Sequence, residues 1–282
     1  MPAPIAFHAA TRHSLRQLAA FFNAAYEGYA YPVNVDAAQL ARRVREEAID
    51  LDVSAVLEIG GQPAGLFLVA RRGGDAWCGG FGLNKPQRGR GLSAPLAAEM
   101  LARTRAAGAD SLQLEVLQHN DAARAAYEKA GLKVARDLLI LAWSATADAT
   151  AVRPVELRRV AISRHLDRLP APGQPRAAWQ RSLASLQARS GIEACETADG
   201  GAGVLLARMP DGNVRLLSFH GRDPALLAGA IRTLQAAFRR IMVVNEPPDS
   251  PHLEALLSAG FAEIDRQYEM RVDFTAPRPP SA

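Results

Sequence analysis

Apolar positions along the chain change their spacing from segment to segment, and the spacing names the element. Ile5 to His8 has the look of a short strand, followed by cap residues Thr11 and Ser14. Leu15, Leu18, Phe21, Phe22 and Ala25 then recur at the period of a helix face. An aromatic loop (Tyr26, Glu27, Gly28, Tyr29, Tyr31, Pro32) precedes a charged second helix predicted over 36–48. Apolar runs at 53–59 and 64–70 predict two strands, with Gly60-Gly61 supplying the turn between them. A further strand is predicted at 77–83, opening into a loop at 84–91.

A helix follows to about residue 107 and stops at Gly108; its Leu92, Leu96 and Met100 share one face. The segment 112–116 alternates apolar and polar residues, as a half-buried strand does. Asn120 suits an N-cap, Asp121 suits the positive helix end, and Gly131 suits the close of that helix. The stretch 132–143 completes the series as a last strand. Small residues at 144–152 predict a linker. Beyond it the pattern returns more weakly, with a strand at 214–219, a helix at 224–240, a strand at 241–244, a helix from 250 to Gly260 and a strand at 261–274. Ala130-Gly131-Leu132 and Ala259-Gly260-Phe261 occupy matching places in the two series, which points to two copies of one fold. The expected organisation is a first domain over 1–143, a linker over 144–152, a second domain over 153–274 and a Pro-rich disordered tail over 275–282.

Length and composition constrain this picture further. A chain of 282 residues accommodates two domains, each with its own core. No segment approaches the apolar length of a membrane span, and the first residues lack the basic and apolar regions of a secretion signal, so a cytoplasmic protein is expected. Cys78 and Cys195 lie far apart, which fits a reducing compartment and no Cys-rich metal centre. The histidines (His8, His13, His119, His165, His220, His252) show no paired ligand spacing, so no metal is expected. The net charge is +4, but the arginines are dispersed and form no long basic run, so neither nucleic acid nor membrane is an expected partner.

Candidate chemistry concentrates in Arg88-Gly89-Arg90-Gly91-Leu92, at the junction of a predicted strand and helix. The first amides of a helix lack acceptors within it and carry a partial positive charge. Glycines let that backbone approach a phosphate, and Arg88 and Arg90 add charge. A plain arginine-rich turn would look the same in isolation. A second motif follows: Leu114-Glu115-Val116, then Asn120, Ala123, Tyr127 and Gly131-Leu132.

Together the two motifs resemble the pyrophosphate loop and the following strand and helix of the GCN5-related N-acetyltransferases (GNAT). The resemblance covers about 5–143, with Pro86 standing where that family usually has Gln or Arg. It implies an α/β (α+β) fold of two tandem GNAT-like domains, each with a mixed, mostly antiparallel central sheet flanked by helices. It further implies an acetyl-CoA-dependent N-acetyltransferase that moves an acetyl group to a primary amine of a small molecule or peptide. Acetyl-CoA would meet Phe81, Gly82, Leu83, Arg88, Gly89, Arg90, Gly91, Leu92 and Asn120. The strand ending near Leu83 would splay from the one near Leu114, with its amides polarising the thioester carbonyl. Tyr127 would protonate the departing thiolate. Glu115, Glu27 and His119 are candidates for the base, Glu115 foremost, and Tyr26, Glu27, Tyr29 and Tyr31 for the acceptor pocket.

In the second half, His220-Gly221-Arg222-Asp223-Pro224 stands where the loop should be, and Leu256 matches Tyr127. That copy is expected to be degenerate, leaving a monomer with pseudo-dimeric halves or a homodimer. The competing expectation is a non-catalytic acetyl-CoA-binding regulatory or interaction module.

Overall fold

The computed structural model describes residues 3–146, 151–169, 177–209 and 212–275, so part of the expected linker (147–150) and nearly all of the expected tail (276–282) lie outside the described residues. The chain divides into two compact units, residues 1–135 with 268–282, and residues 136–267. The boundary expected at 143 therefore falls earlier, inside a strand, and the last strand of the chain ends in the first unit.

In chain order the first unit holds β1 (Ile5–Ala9), α1 (Leu15–Ala25), α2 (Ala37–Glu47), β2 (Ile49–Ile59), β3 (Gln62–Arg72), β4 (Asp75–Leu83), α3 (Ser93–Ala106), β5 (Ser111–Leu117) and α4 (Asp121–Lys129). Next comes β6 (Lys133–Ser144), most of which belongs to the second unit. That unit continues with β7 (Arg158–Val160), α5 (Ile162–Leu166), α6 (Leu183–Ala188), β8 (Ile192–Glu196), β9 (Ala202–Arg208), β10 (Val214–Gly221), α7 (Pro224–Gln235), β11 (Arg240–Glu246) and α8 (Leu253–Ser258), before β12 (Ala262–Asp273). The predicted helix over 224–240 is shorter than expected, because the chain turns at Ala237, whose N–H donates to the Leu234 carbonyl. Among the described residues no helix is long and apolar enough to cross a membrane.

The helix starts of the first unit are built locally. Ser14 with Gln17, and Asp36 with Gln39, form reciprocal capping boxes at α1 and α2. In the sheet of this unit the strands run in the order β1-β2-β3-β4-β5-β12. Neighbours β1 to β4 pair antiparallel, while β4 and β5 pair parallel. The core packs Leu57, Phe67, Leu96, Met100, Leu112 and Leu114 around the sheet, and Met270 from β12 joins them with 0% exposure.

The second unit has the strand order β6-β11-β10-β9-β8-β7. Here too β10 pairs parallel with β11, while β6 with β11, β10 with β9, β9 with β8 and β8 with β7 pair antiparallel. Its core includes Leu139, Leu141 and Trp143 of β6. The strand following α4 in sequence thus supplies the second core, and the chain's final strand completes the first. The apolar faces at the two ends decide this: each strand buries its side chains in the unit where they are covered.

Deleting 268–282 removes Met270 from the first core, and replacing a buried methionine by alanine alone costs roughly 2–5 kcal/mol. Hydrogen exchange should then show lost protection in β4 and β5 while β9 remains protected. Unchanged protection in β4 and β5 would mean that the first unit stands without its last strand.

Candidate active site

A fork between two parallel strands organises the first unit. β4 and β5 pair at Asp75 with Ser111, Ala76 with Leu112 and Trp77 with Gln113, and the pairing stops there. A bulge on β4 opposite Leu68 and Val69 starts the divergence. Beyond it, the Asn84 N–H donates to the Ala64 carbonyl of β3 at 2.8 Å. Peptide groups alternate between the two edges of a strand, so the amides of Phe81 and Leu83 face the opening.

The glycines of β4 set how closely α1 lies on it. A Cβ on Gly80 would come within 2.6 Å of the Phe22 ring, and one on Gly82 within 2.9 Å of the Ala25 carbonyl oxygen. This contact brings Tyr26, at the end of α1, to the fork. The Phe81 N–H donates to the Tyr26 hydroxyl at 3.4 Å. Arg43 of α2 donates to the Gly79 carbonyl at the bulge and lies over the Phe22 ring, 5.1 Å from its centroid.

Tyr127 of α4 packs edge-on against Phe81, with ring centroids 5.1 Å apart. Burial holds its pKa well above the usual phenol value, and the neighbouring Cys78, Tyr26 and Tyr29 push the same way. The phenol therefore keeps its proton at neutral pH. Burial also pushes the Cys78 thiol up to about 12, and its S–H donates to the Gly80 carbonyl at 3.3 Å. Cys78 is a neutral wall of the fork. Glu115 accepts a hydrogen bond from the Trp77 indole at 2.7 Å, just past the last paired position.

The loop at 84–92 presents open backbone. Gly89 and Gly91 have φ of +73° and +76°, with nothing within 4 Å of where a Cβ would stand. Leu92 is the N-cap of α3 and is buried in the first core, so it anchors the loop from beneath. The first-turn amides of α3 have no acceptors in the helix, as at any helix start. The two arginines differ. Arg90 lies at the surface, bonded to Gln87 at 2.8 Å. Arg88 folds back, donating to the Leu83 carbonyl at 3.0 Å and to the Ala25 carbonyl at 3.1 Å.

The remaining expected residues surround this centre. Asn120 caps α4 by accepting from the Ala123 N–H at 3.2 Å. Tyr29 stacks edge-on against Tyr26 with centroids 5.3 Å apart, and Tyr31 is half-buried. Glu27 is exposed and lies 3.5 Å from the Lys85 ammonium. Tyr26, expected on the acceptor side, also meets the Phe81 amide at the fork; Arg43 is not foreseen by the sequence, because its signal is visible only once the bulge carbonyl is located.

The second unit repeats the design and fills it differently. β10 and β11 also pair over a short parallel stretch, Val214 with Ile241 to Leu216 with Val243, and β10 carries a bulge between Leu216 and Ser218. Into this fork reaches Arg181, bonded to the Leu217 carbonyl at 3.0 Å, the Asn245 carbonyl at 3.3 Å and the Glu246 carboxylate. At the start of α7, Asp223 accepts from the Leu226 N–H at 2.7 Å, and Pro224 follows it. The two closing turns match bond for bond. Leu132 N–H donates to the Tyr127 carbonyl and Phe261 N–H to the Leu256 carbonyl; Gly131 donates to Glu128 and Gly260 to Leu257.

A family model described as Acetyltransferase (GNAT) family matches residues 16–132. Residues 16–132 are therefore similar to an acetyltransferase domain of the GNAT family. Solved structures extend the likeness of fold over nearly the whole chain. A tandem GNAT protein from the clavulanic acid biosynthesis pathway is 15% identical, with 98% of this chain and 100% of that one covered at a TM-score of 0.66. A GCN5-related N-acetyltransferase from Sphaerobacter thermophilus is 16% identical, with 95% of each chain covered and a TM-score of 0.66. A search among curated proteins finds no match. The likeness of fold thus extends over the second unit, beyond the matched segment.

Gly80→Ala tests the seat of α1 on β4. The added methyl has to displace Phe22, and overpacking of this kind costs about 1–3 kcal/mol. A fall of that size in stability, from urea unfolding, is the expected result, whereas an unchanged midpoint would mean that α1 is not held by the glycine strand.

Proposed function

We propose that the first unit binds acetyl-CoA along the fork and the 84–92 loop, and that it transfers the acetyl group to a primary amine of a small molecule or peptide by direct attack. The observation that carries this reading is the convergence of three features: an opened strand edge, a glycine loop at a helix start, and a protonated phenol at the Phe81 ring. When bound, acetyl-CoA supplies a thioester already activated toward an amine.

The chain's own residues divide the remaining work. The amides around Gly89, Gly91 and Leu92 fit a pyrophosphate, with Arg90 adding charge from the surface. The Phe81 and Leu83 amides fit an extended amide-bearing arm and a carbonyl oxygen. The Tyr26 hydroxyl and the Arg88 guanidinium, which hold the Phe81 amide and the Leu83 carbonyl, have to yield those groups on binding. Tyr127 donates its proton to the departing sulfur. Glu115 is proposed to accept, directly or through water, the proton of the attacking amine. Glu27, Tyr29 and Tyr31 are proposed to line the acceptor side, where a carboxylate favours a cationic amine. The Arg181–Glu246 pair and the Asp223 cap support a second unit that takes no CoA, since both would have to be displaced.

Calorimetric titration with acetyl-CoA should give binding to the wild-type protein and none to Gly89→Glu, whose carboxylate would meet the phosphates in a left-handed backbone. Absence of wild-type binding in a folded sample would sink this reading. With an amine acceptor identified by release of free thiol, Tyr127→Phe should lower kcat by about 10²–10⁴-fold with little change in acetyl-CoA affinity. An undiminished kcat would remove Tyr127 from the proton transfer.

A further inference from the structure

The second unit gathers a group of side chains that acetyl transfer does not use. His165 on α5, Glu196 at the end of β8 and His220 on β10 each offer one ligand atom, and these atoms lie within 4.8 Å of one another. His165 and Glu196 are 0% exposed. His165 Nδ1, Glu196 Oε1 and His220 Nε2 are buried and none makes a well-formed hydrogen bond, although His220 Nε2 lies 3.5 Å from Glu196 Oε1. Buried polar atoms in folded proteins are nearly always satisfied, so a close group of under-satisfied donors and acceptors calls for an occupant.

The sheet is shaped to bring them together. Gly203 of β9 pairs with Glu196 on one side and with His220 on the other. Two strands flanking a third are separated by about 9–10 Å, too far for these side chains to meet over an ordinary residue. A Cβ on Gly203 would stand 2.5 Å from His220 Nε2 and 2.7 Å from Glu196 Cγ. The missing side chain at 203 is the space in which the carboxylate and the imidazole converge. His165 closes the group from the helix side, with its Nε2 fixed at 2.8 Å from the Ser218 hydroxyl. A hydrogen bond of this kind on one ring nitrogen holds an imidazole in place, as it does in ligating histidines, and Nδ1 is left without a partner.

We propose that His165, Glu196 and His220 form a binding site for a divalent transition-metal ion of the zinc type. Two imidazoles and a carboxylate are a donor set suited to such an ion, with a further position left for water. Arg164 holds the other carboxylate oxygen, Oε2, at 2.9 Å. Arg168 lies 3.4 Å from Oε1, beyond a well-formed hydrogen bond, and its side chain is 38% exposed. It can turn to solvent as Oε1 engages the ion, which also opens the way in. An ion there ties α5 to β8 and β10.

The test uses the full chain, stripped with EDTA, dialysed and titrated calorimetrically with zinc chloride. One equivalent should bind and raise the melting temperature. His220→Ala should weaken binding at least about 100-fold and abolish the thermal shift. Gly203→Ala keeps all three ligands but fills their meeting place, and should weaken binding at least about 10-fold. His8→Ala, in the first unit, should bind as the wild type does. If His220→Ala does not fold, His220→Gln replaces it. Folded wild-type protein that takes up no zinc, or wild-type affinity in the His220 or the Gly203 variant, overturns the proposal.

Discussion

Parallel strands that part company leave peptide groups without partners, and a folded chain cannot leave buried peptide groups unsatisfied. Both units live with that constraint. In the first, the Gly79 carbonyl is taken by Arg43, the Phe81 amide by Tyr26 and the Leu83 carbonyl by Arg88. In the second, Arg181 takes the Leu217 and Asn245 carbonyls at once and is itself neutralised by Glu246. The chemical difference between the copies follows from these choices. A weak 3.4 Å contact to a phenol is easily exchanged for a ligand's carbonyl. A guanidinium paired with a carboxylate that is 2% exposed is not, because removing one partner strands the other.

The fork's usefulness also depends on features that carry no polar group. The glycines of β4 let α1 approach until its last residue reaches the strand edge, and the bulge turns the edge outward. The buried Leu92 fixes the loop from below while Gly89 and Gly91 keep its upper surface bare. Arg88 shows that a motif does not disclose where its side chains go. Nothing local in Arg88-Gly89-Arg90-Gly91 distinguishes an arginine aimed at solvent from one folded onto two carbonyls.

Much of the first unit is legible in the sequence because its signals are local. Helical spacing before Tyr26, the Gly60-Gly61 turn, the Asn120 cap and the closing Gly131 each speak for a few adjacent residues. The segment 153–213 was far less legible. β9 is buried over Ala202, Gly203, Val204, Leu205 and Leu206, so it lacks the alternation of a half-exposed strand, and α5 and α6 are too short to show a period. With β8 and β9 unread, His165, Glu196 and His220 looked scattered. Their proximity comes from cross-strand neighbours and from one absent side chain, neither of which spacing along the chain records. The destination of the last strand was hidden for the same reason, since only the covering of Met270 reveals it.

That destination has a consequence in time. A ribosome adds about 5–20 residues per second, so the segment from 136 to 267 takes on the order of ten seconds to emerge. Throughout that interval the first unit is missing β12, with the edge of β5 and the place of Met270 uncovered. The nascent chain therefore cannot finish its domains in the order in which it makes them. The first unit waits as an incomplete sheet, exposed to chaperones or to wrong strands, until β12 has emerged.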